Sequence, residues 1–296
     1  MDKLYTPGTI RRIIENHGFR LSKSLGQNFL ADRNIIDKII EGSLIGERDL
    51  VIEIGPGIGV LTEAAAARAG KVIAVEIDSR LIPILNETLS DFDNVEILNQ
   101  DILKTDLCKL IADNPGFDTV RIIGNLPYYI TTPIVMKILE DKVPADSITI
   151  MLQKEVADRI RANPGTRDYG ALSVAVQYYC TVEIVAHASR EVFIPKPNVD
   201  SSVIRLDIRK ARAAAPRDEA IFFAAVKAAF GQRRKTLLNA LSGVCGLAKD
   251  EIGQVLNEAA IEPERRGETL SIAEYARLAD TIFDHLQIHK KTQIIV

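Results

Sequence analysis

The segment from Glu53 to Gly59 is the first whose residue types and spacing suggest chemistry. An acid precedes three glycines in the spacing G-x-G-x-G, at Gly55, Gly57 and Gly59. Glycines after a strand let the backbone pass close to a ligand that bulkier residues would exclude. The third glycine comes one residue too early for the dinucleotide fingerprint. A carboxylate beside the loop would repel a pyrophosphate, but it suits a ligand with a positive sulfonium and an ammonium group.

Two further acids follow the next two predicted strands. Glu76 ends the second strand, where a carboxylate can accept hydrogen bonds from both hydroxyls of a ribose. Asp101 follows the third strand, where it can accept a hydrogen bond from an adenine amine. Asp78, two residues after Glu76, is an alternative candidate for the ribose contact. A lone glycine turn is usually only a turn, but the loop together with both acids predicts S-adenosylmethionine as cofactor rather than NAD.

The strip Asn125-Leu126-Pro127-Tyr128 follows the fourth predicted strand, at the edge where open α/β sheets bind ligands. An exocyclic adenine amine is a poor nucleophile because its lone pair is delocalised into the ring. It needs acceptors for its two hydrogens, and these acceptors bind more strongly as the amine gains positive charge. The Asn125 side-chain carbonyl and the Leu126 backbone carbonyl can supply them, while Pro127 fixes the turn and Tyr128 offers a stacking face. We therefore predict methylation of an adenine amino group in RNA.

Such a site requires an adenine that is unpaired or flipped out of a duplex. Phe193, on the proline-rich loop 193–197, is a candidate for the opposite face of the base. The alternative interpretation is that Pro127 and Tyr128 merely end a strand and that Phe193 packs in the core.

These residues need a scaffold, and the order of apolar runs indicates which one. Short apolar runs at 50–54, 71–76, 95–98, 119–123 and 147–152 alternate with helical segments, which is typical of a buried parallel sheet with right-handed crossovers. Two late strands, 178–188 and 202–208, suit an antiparallel edge. The sequence therefore predicts an α/β, doubly wound, Rossmann-like methyltransferase domain.

The pattern changes after about residue 212. Four helices are predicted with no strand between them, at 220–230, 234–241, 249–259 and 272–286, and Ser271 with Glu274 forms a plausible capping box for the last. We therefore divide the 296 residues into an N-terminal appendage (1–30), the Rossmann-like domain (31–212) and a small all-α domain (213–296).

Other classes of protein are disfavoured. No apolar run approaches the length of a transmembrane helix, and the N-terminus lacks the pattern of a secretory signal. Cys108, Cys180 and Cys245 are too far apart for a disulfide framework, which fits a reducing cytoplasm. The four histidines show no metal-ligand spacing and no Ser/His or Cys/His constellation is visible, so no metal is expected.

The formal net charge of −3 hides local basic segments. Residues 205–240 contain nine Lys or Arg against three Asp or Glu. Arg233, Arg234 and Lys235 are candidates for binding an RNA backbone. On charge alone, a solvated helix face is an equally good interpretation.

These residues also carry a resemblance to a known family. Over nearly its whole length the chain resembles the small-subunit ribosomal RNA adenine dimethyltransferases of KsgA type. The stretches that carry the resemblance are 24–30, 53–59, 125–128, 193–201, 230–237 and 265–271.

The resemblance implies roles that spacing alone would not give. Asn28 and Leu30, with Gly55, Glu76, Asp101 and Asn125, would line the cofactor pocket, so the N-terminal appendage would fold over the cofactor. The substrate would be two adjacent adenosines in the 3′-terminal hairpin of 16S rRNA, within the small ribosomal subunit or its precursor. Two alternatives stay open: a large-subunit rRNA methyltransferase of the macrolide-resistance type, and a ribosome-assembly checkpoint factor with secondary catalysis. Nothing requires more than a monomer.

Overall fold

The structure is a computed structural model, and it describes residues 3–19 and 26–294, with side chains as far as residue 288. Its backbone divides into two compact units. The first comprises residues 1–157 and 181–208, and the second comprises residues 158–180 and 209–296. Ser24 and Leu25, the first residues of one stretch that carries the resemblance, lie outside the described residues.

The first unit is built around a mixed sheet of seven strands in the order β4-β3-β2-β5-β6-β9-β7. These strands are β2 (Asp49–Ile54), β3 (Lys71–Glu76), β4 (Val95–Asn99), β5 (Thr119–Asn125), β6 (Ser147–Gln153), β7 (Cys180–Ala188) and β9 (Ser201–Ile208). The five strands from β4 to β6 are parallel, and β9 is antiparallel to β6. The predicted doubly wound sheet with an antiparallel addition at one side is confirmed.

Two helices, α1 (Pro7–Asn16) and α2 (Arg33–Gly42), precede β2. The parallel strands β2 to β5 are followed by α3 (Val60–Ala66), α4 (Ile82–Thr88), α5 (Leu107–Ala112) and α6 (Thr131–Glu140), as parallel crossovers require. Helix α7 (Lys154–Arg161) follows β6 and begins in the first unit, but its residues 158–161 belong to the second. Every residue of β2 is buried, which explains why this strand is almost continuously apolar. The strand order reverses between β2 and β5, and open sheets of this kind bind ligands at that point.

A second, two-stranded sheet was not predicted. It pairs β1 (Phe29–Leu30) with β8 (Phe193–Ile194) in antiparallel register, so that Leu30 lies opposite Phe193. The amide of Ala31 extends the contact by donating to the carbonyl of Val192 (2.7 Å). These bonds hold residues 29–31 next to the proline-rich loop.

The second unit is helical. It contains α8 (Ala171–Tyr179), α9 (Glu219–Gly231), α10 (Leu237–Ala240), α11 (Lys249–Glu258) and α12 (Ile272–Ile294). Its core is aromatic: Phe222, Phe230 and Tyr275 pack with centroid distances of 6.2–6.4 Å. The capping box is confirmed, since Ser271 N donates to Glu274 Oε2 (2.8 Å) and Glu274 N donates to Ser271 Oγ (3.2 Å).

The structure differs from the predicted elements around residue 170. Helix α8 was not predicted, and residues 178–179 belong to it rather than to the strand that follows. The run 171–188 is mostly apolar and rich in β-branched residues, so periodicity does not separate a buried helix from a strand. The local signal is Ser173, whose hydroxyl accepts from Gly170 N (3.0 Å) at the start of the helix. The boundaries of the two units also differ from the predicted ones: residues 158–180 belong to the helical unit, and the later boundary lies at 208 rather than 212.

Candidate active site

A cavity lies at the carboxyl ends of β2, β3, β4 and β5. Almost all of the predicted cofactor and catalytic residues lie on its wall: Asn28, Leu30, Gly55, Gly57, Glu76, Asp101, Asn125, Leu126, Pro127 and Tyr128. Residues from four strand ends and from the N-terminal segment therefore meet at one point. Of the residues we assigned to cofactor or base, Phe193 alone is not on this wall.

The glycine loop brings bare backbone to the cavity. Gly55 has a φ of +70°, and no atom lies within 4 Å of where a Cβ would stand. Gly57 has a φ of +62°, and a Cβ there would approach the Phe29 ring to 3.0 Å. Both positions therefore need glycine for conformation, and Gly55 also leaves open space beside the loop.

Glu53 is a buried acid beside this space. It is 1% exposed, and its Oε2 has no hydrogen-bond partner among the described residues. Burial, with a smaller contribution from the nearby Glu76 carboxylate, raises the pKa of Glu53 to about 8. An orphaned acid on the wall of a cavity is suited to a ligand that carries positive charge.

Glu76 is fixed at the end of β3 by two backbone amides. Its Oε2 accepts from Gly57 N (3.3 Å) and its Oε1 from Asp78 N (2.8 Å). Burial raises the pKa of Glu76 despite these bonds. Asp78 instead pairs with Arg80 (2.6 Å) and accepts from Gln27 Nε2 (2.9 Å), and the bonds to Arg80 lower its pKa. Only Glu76 of the two lines the cavity, so the structure favours it over Asp78.

Asp101 marks the other end of the same wall. Its Oδ1 accepts from Leu103 N (3.0 Å), which holds the carboxylate after β4. Ile77 and Ile102 line the cavity beside it, and Ile77 is 52% exposed. An acceptor between aliphatic side chains suits a purine with an exocyclic amine.

The N-terminal segment forms part of the cavity wall. Asn28 Nδ2 donates to the carbonyl of Gly26 (3.0 Å), which closes a tight turn, and Leu30 is buried in β1. Gly26, Gln27 and Phe29 line the cavity as well. The predicted contribution of this segment to the cavity wall therefore agrees with the geometry.

Asn125 is oriented by one bond. Its Nδ2 donates to the backbone carbonyl of Asn28 (2.9 Å). Because only the nitrogen of an amide can donate to a carbonyl, Oδ1 remains as the acceptor of this side chain. Gly124 precedes it, and a Cβ there would lie 2.7 Å from the Ile54 carbonyl, so glycine allows β5 to lie against β2 at this point.

The rest of the strip is held by hydrogen bonds to β6, α6 and β9. Leu126 N donates to the Met151 carbonyl (3.3 Å), and Pro127 O accepts from Thr131 Oγ1 (3.1 Å). The Tyr128 hydroxyl is hydrogen-bonded to Ser201 Oγ (2.8 Å), and its half-buried ring lines the cavity. Burial raises the pKa of Tyr128, so the phenol remains neutral.

Phe193 does not reach the cavity. It is 4% exposed and belongs to the hydrophobic cluster of the first unit, opposite Leu30 in the small sheet. This corresponds to the alternative interpretation of Phe193 as a core residue. The β1–β8 pairing explains it, because strand pairing fixes which side of the backbone carries the ring.

Gln27, Ile77 and Tyr129 are among the wall residues that sequence reasoning missed. Tyr129 is 60% exposed, whereas Tyr128 before it is half-buried and hydrogen-bonded. Adjacent tyrosines give no sequence signal that distinguishes them. Only the position of Ser201 does so.

Arg233, Arg234 and Lys235 belong to the second unit and are exposed. Arg233 forms an ion pair with Glu268 (2.9 Å) and donates to the Arg167 carbonyl. Of the three residues predicted to bind RNA, Arg233 therefore already has partners within the protein.

Among the described residues, no group of three or more His, Cys, Asp or Glu could hold a metal ion. None of the helices described is both long and apolar enough to cross a membrane.

Comparison with known proteins gives a consistent result. The model of the family described as "Ribosomal RNA adenine dimethylase" matches residues 18–280. Ribosomal RNA small subunit methyltransferase A of Clostridioides difficile is 57% identical over 282 residues, covering 95% of this chain and 98% of that protein. The protein of the same name from Anoxybacillus flavithermus is 52% identical over 282 residues, covering 94% and 96%.

Two solved structures share the fold at lower identity. A dimethyladenosine transferase from Plasmodium falciparum superposes with a TM-score of 0.73 at 27% identity, over 84% of this chain and 95% of that chain. The 23S rRNA methyltransferase ErmE superposes with a TM-score of 0.65 at 28% identity, over 86% and 99%.

Proposed function

Because the chain belongs to the ribosomal RNA adenine dimethylase family, we propose that it methylates two adjacent adenosines in the 3′-terminal hairpin of small-subunit rRNA. Each adenosine receives two methyl groups on its N6 atom, late in subunit assembly. The identities of 49–57% to small-subunit enzymes, against 28% to ErmE, support this substrate over large-subunit rRNA. The protein would act as a monomer in the cytoplasm, on the small subunit or its precursor.

The chain is an rRNA adenine dimethyltransferase that uses S-adenosylmethionine as methyl donor. Two observations support the fit of the cavity to this cofactor. The orphaned Oε2 of Glu53 needs a hydrogen-bond donor, which the cofactor's ammonium group can provide, and the positive charge of the sulfonium is favourable beside the same carboxylate. The open side of Gly55 leaves space for such a ligand. Glu76 would hold the ribose hydroxyls and Asp101 the adenine amine, with Asn28 and Leu30 over them.

The catalytic part of the proposal rests on one observation, the bond from Asn125 Nδ2 to Asn28 O. It leaves Asn125 Oδ1 to accept one hydrogen of the target amine, while the Leu126 carbonyl accepts the other. Both acceptors strengthen as positive charge develops on the nitrogen, which lowers the barrier to methyl transfer. Tyr128 stacks on the target base, and its bond to Ser201 restrains the ring. No residue needs to deprotonate the amine first: the N6–methyl bond would form as the sulfonium–methyl bond breaks, and the nitrogen would lose its proton to solvent afterwards.

The deciding experiment is methyl transfer with labelled S-adenosylmethionine to small subunits that lack this modification. We expect dimethyladenosine at two adjacent positions, located by nuclease digestion and mass spectrometry. Large-subunit rRNA from the same cells is the control. Transfer to the large-subunit RNA instead of the small subunit would replace this proposal with the resistance-type activity.

A further inference from the structure

The inference concerns Tyr129, which follows the catalytic strip but was assigned no role. Its ring lines the cavity, and the residue is 60% exposed. Tyr129 is one of five large apolar or aromatic residues that are exposed in the described part of the chain. An aromatic side chain at the mouth of a substrate cavity is energetically well placed to bind a base.

The surroundings of Tyr129 differ from those of Tyr128. The Tyr128 hydroxyl is bonded to Ser201, which fixes its ring inside the cavity. No described residue forms a hydrogen bond with the Tyr129 hydroxyl. The Tyr129 ring lies against Gly26, where a Cβ would stand 3.6 Å from Cε1, and Gly26 has a φ of +61°. Tyr129 is therefore supported on the side of the N-terminal segment and open towards solvent.

Two adjacent adenosines pose a problem for a single cavity. While one base lies on Tyr128, its neighbour is joined to it by one phosphodiester and must lie close to the mouth. A base that has left its own stack loses stacking energy, which an aromatic side chain can replace. Tyr129 lines the same cavity as Tyr128 but is exposed, so its ring is available to a neighbouring base that stays at the mouth.

We propose that Tyr129 stacks on the base next to the target, so that one adenine is held at the mouth while the other is methylated inside. This inference rests on the proposed function, because it requires two adjacent substrate adenosines. Tyr129 would be a positioning residue for the RNA, and it would take no part in the transfer itself. Phe and Trp should replace it, while Leu and Ala should not.

A fluorescent base distinguishes this role. The probe is a hairpin RNA in which 2-aminopurine replaces one of the two adjacent adenines. This base lacks the N6 amine that the strip would hold, so the remaining adenine enters the cavity and the probe stays at the mouth. In the presence of saturating S-adenosylhomocysteine, we expect the wild type to quench the probe and Tyr129→Leu to leave it bright. Affinity for the RNA should fall about tenfold, and Tyr129→Phe and Tyr129→Trp should restore both.

Ile77→Ala is the matched control, because Ile77 is a similarly exposed residue that lines the cavity beside Glu76. It should weaken cofactor binding and leave the quenching unchanged once cofactor is saturating. Quenching by Tyr129→Leu equal to the wild type would overturn the proposal. So would a loss of cofactor affinity in Tyr129→Leu with RNA affinity intact, because Tyr129 would then cover the cofactor instead.

The same comparison on unmodified small subunits gives an independent measurement. There the KM for subunits should rise about tenfold in Tyr129→Leu, with kcat changed less and with rescue by Phe. An unchanged KM overturns the proposal. Failure of the wild type to methylate small subunits would instead refute the proposed function, so the two failures are distinguishable.

Discussion

The side-chain amide of Asn125 and the backbone carbonyl of Asn28 are joined by a hydrogen bond of 2.9 Å. The two residues are 97 positions apart in the chain. One ends the fourth parallel strand of the sheet, and the other belongs to the segment that forms the N-terminal wall of the cavity. The orientation of the catalytic acceptor therefore depends on the same segment that would cover the cofactor.

The first prediction concerns Asn125→Ala. This change removes the Oδ1 acceptor and the bond to Asn28. We expect kcat for methyl transfer to fall about a hundredfold to a thousandfold, the usual cost of deleting one acceptor or donor for charge that develops in a transition state. Cofactor and subunit binding should fall much less. Single-turnover transfer and calorimetric titration with S-adenosylhomocysteine measure the two effects, and unchanged turnover would refute the role of Asn125.

Asn125→Asp separates the two functions of this side chain. It keeps an acceptor for the amine but places a carboxylate against the Asn28 carbonyl, which repels it. We expect cofactor affinity to fall further than in Asn125→Ala, because the N-terminal segment is pushed away. Equal cofactor affinities in the two variants would show that the bond to Asn28 does not hold that segment in place.

The second prediction uses the pair Tyr128 and Ser201. Tyr128→Phe and Ser201→Ala each delete their 2.8 Å hydrogen bond while leaving the ring. Each should lower kcat by about fivefold, in line with the loss of about 1 kcal/mol of positioning. The double variant should lose no more than either single variant, because the two changes remove one interaction. Additive losses in kcat would mean that the two hydroxyls act separately. Tyr128→Leu, which removes the aromatic ring, should lower kcat far more than the two single variants or the double variant.

Much of this site could be predicted because the carboxyl ends of parallel strands all lie at the same edge of the sheet. Once β2 to β5 are recognised, Gly55, Glu76, Asp101 and Asn125 are brought together by topology alone. The choice between Glu76 and Asp78 could not be made this way. It depends on Arg80 and Gln27, which engage Asp78 through side-chain bonds that no spacing predicts.

Phe193 and Tyr129 show what the sequence could not predict. From the sequence, Phe193 is a candidate for stacking because it lies on the proline-rich loop 193–197, but its pairing with Leu30 buries it. That pairing joins residues more than 160 positions apart, and no local pattern encodes it. Tyr129 carries no local signal that separates it from Tyr128, and only the fold shows that one ring is anchored and the other exposed. Local sequence therefore identified the strand ends better than the residues at the cavity mouth.

The third prediction is a pH dependence of cofactor binding. Burial raises the pKa of Glu53 to about 8 in the ligand-free protein, and a positively charged ligand favours the ionised carboxylate. Binding below pH 8 must therefore release the proton. We expect the affinity for S-adenosylmethionine to rise about tenfold per pH unit up to about pH 8 and then level off. Titration of the cofactor's own amine affects the wild type and Glu53→Gln equally. The difference between their curves of affinity against pH therefore isolates the contribution of Glu53. Parallel curves for the two proteins would contradict the ionisation of Glu53 on binding.

The same group makes a fourth prediction, about stability without ligand. The folded protein holds the Glu53 proton to about pH 8, whereas the unfolded chain releases it near the ordinary glutamate pKa of 4.5. The ligand-free protein should therefore be stabilised at low pH and lose that contribution as the pH rises from about 4.5 to about 8. Glu53→Gln removes this loss, so it should raise the melting temperature above pH 8 while weakening cofactor binding. A lower melting temperature there would show that ionised Glu53 is stabilised in the folded protein.

The last prediction concerns Arg234 and Lys235, which are exposed in the second unit. Arg234→Gln with Lys235→Gln should weaken binding to small subunits and reduce the slope of log affinity against log salt by about one to two, since each phosphate contact contributes about one. Arg233 is left unchanged, because its ion pair with Glu268 would add a structural loss. Lys227→Gln with Lys249→Gln removes the same charge from exposed positions of the same unit. If both double variants reduce the slope equally, binding follows total charge and these two residues form no specific contact; if only the first does, they contact the RNA backbone directly.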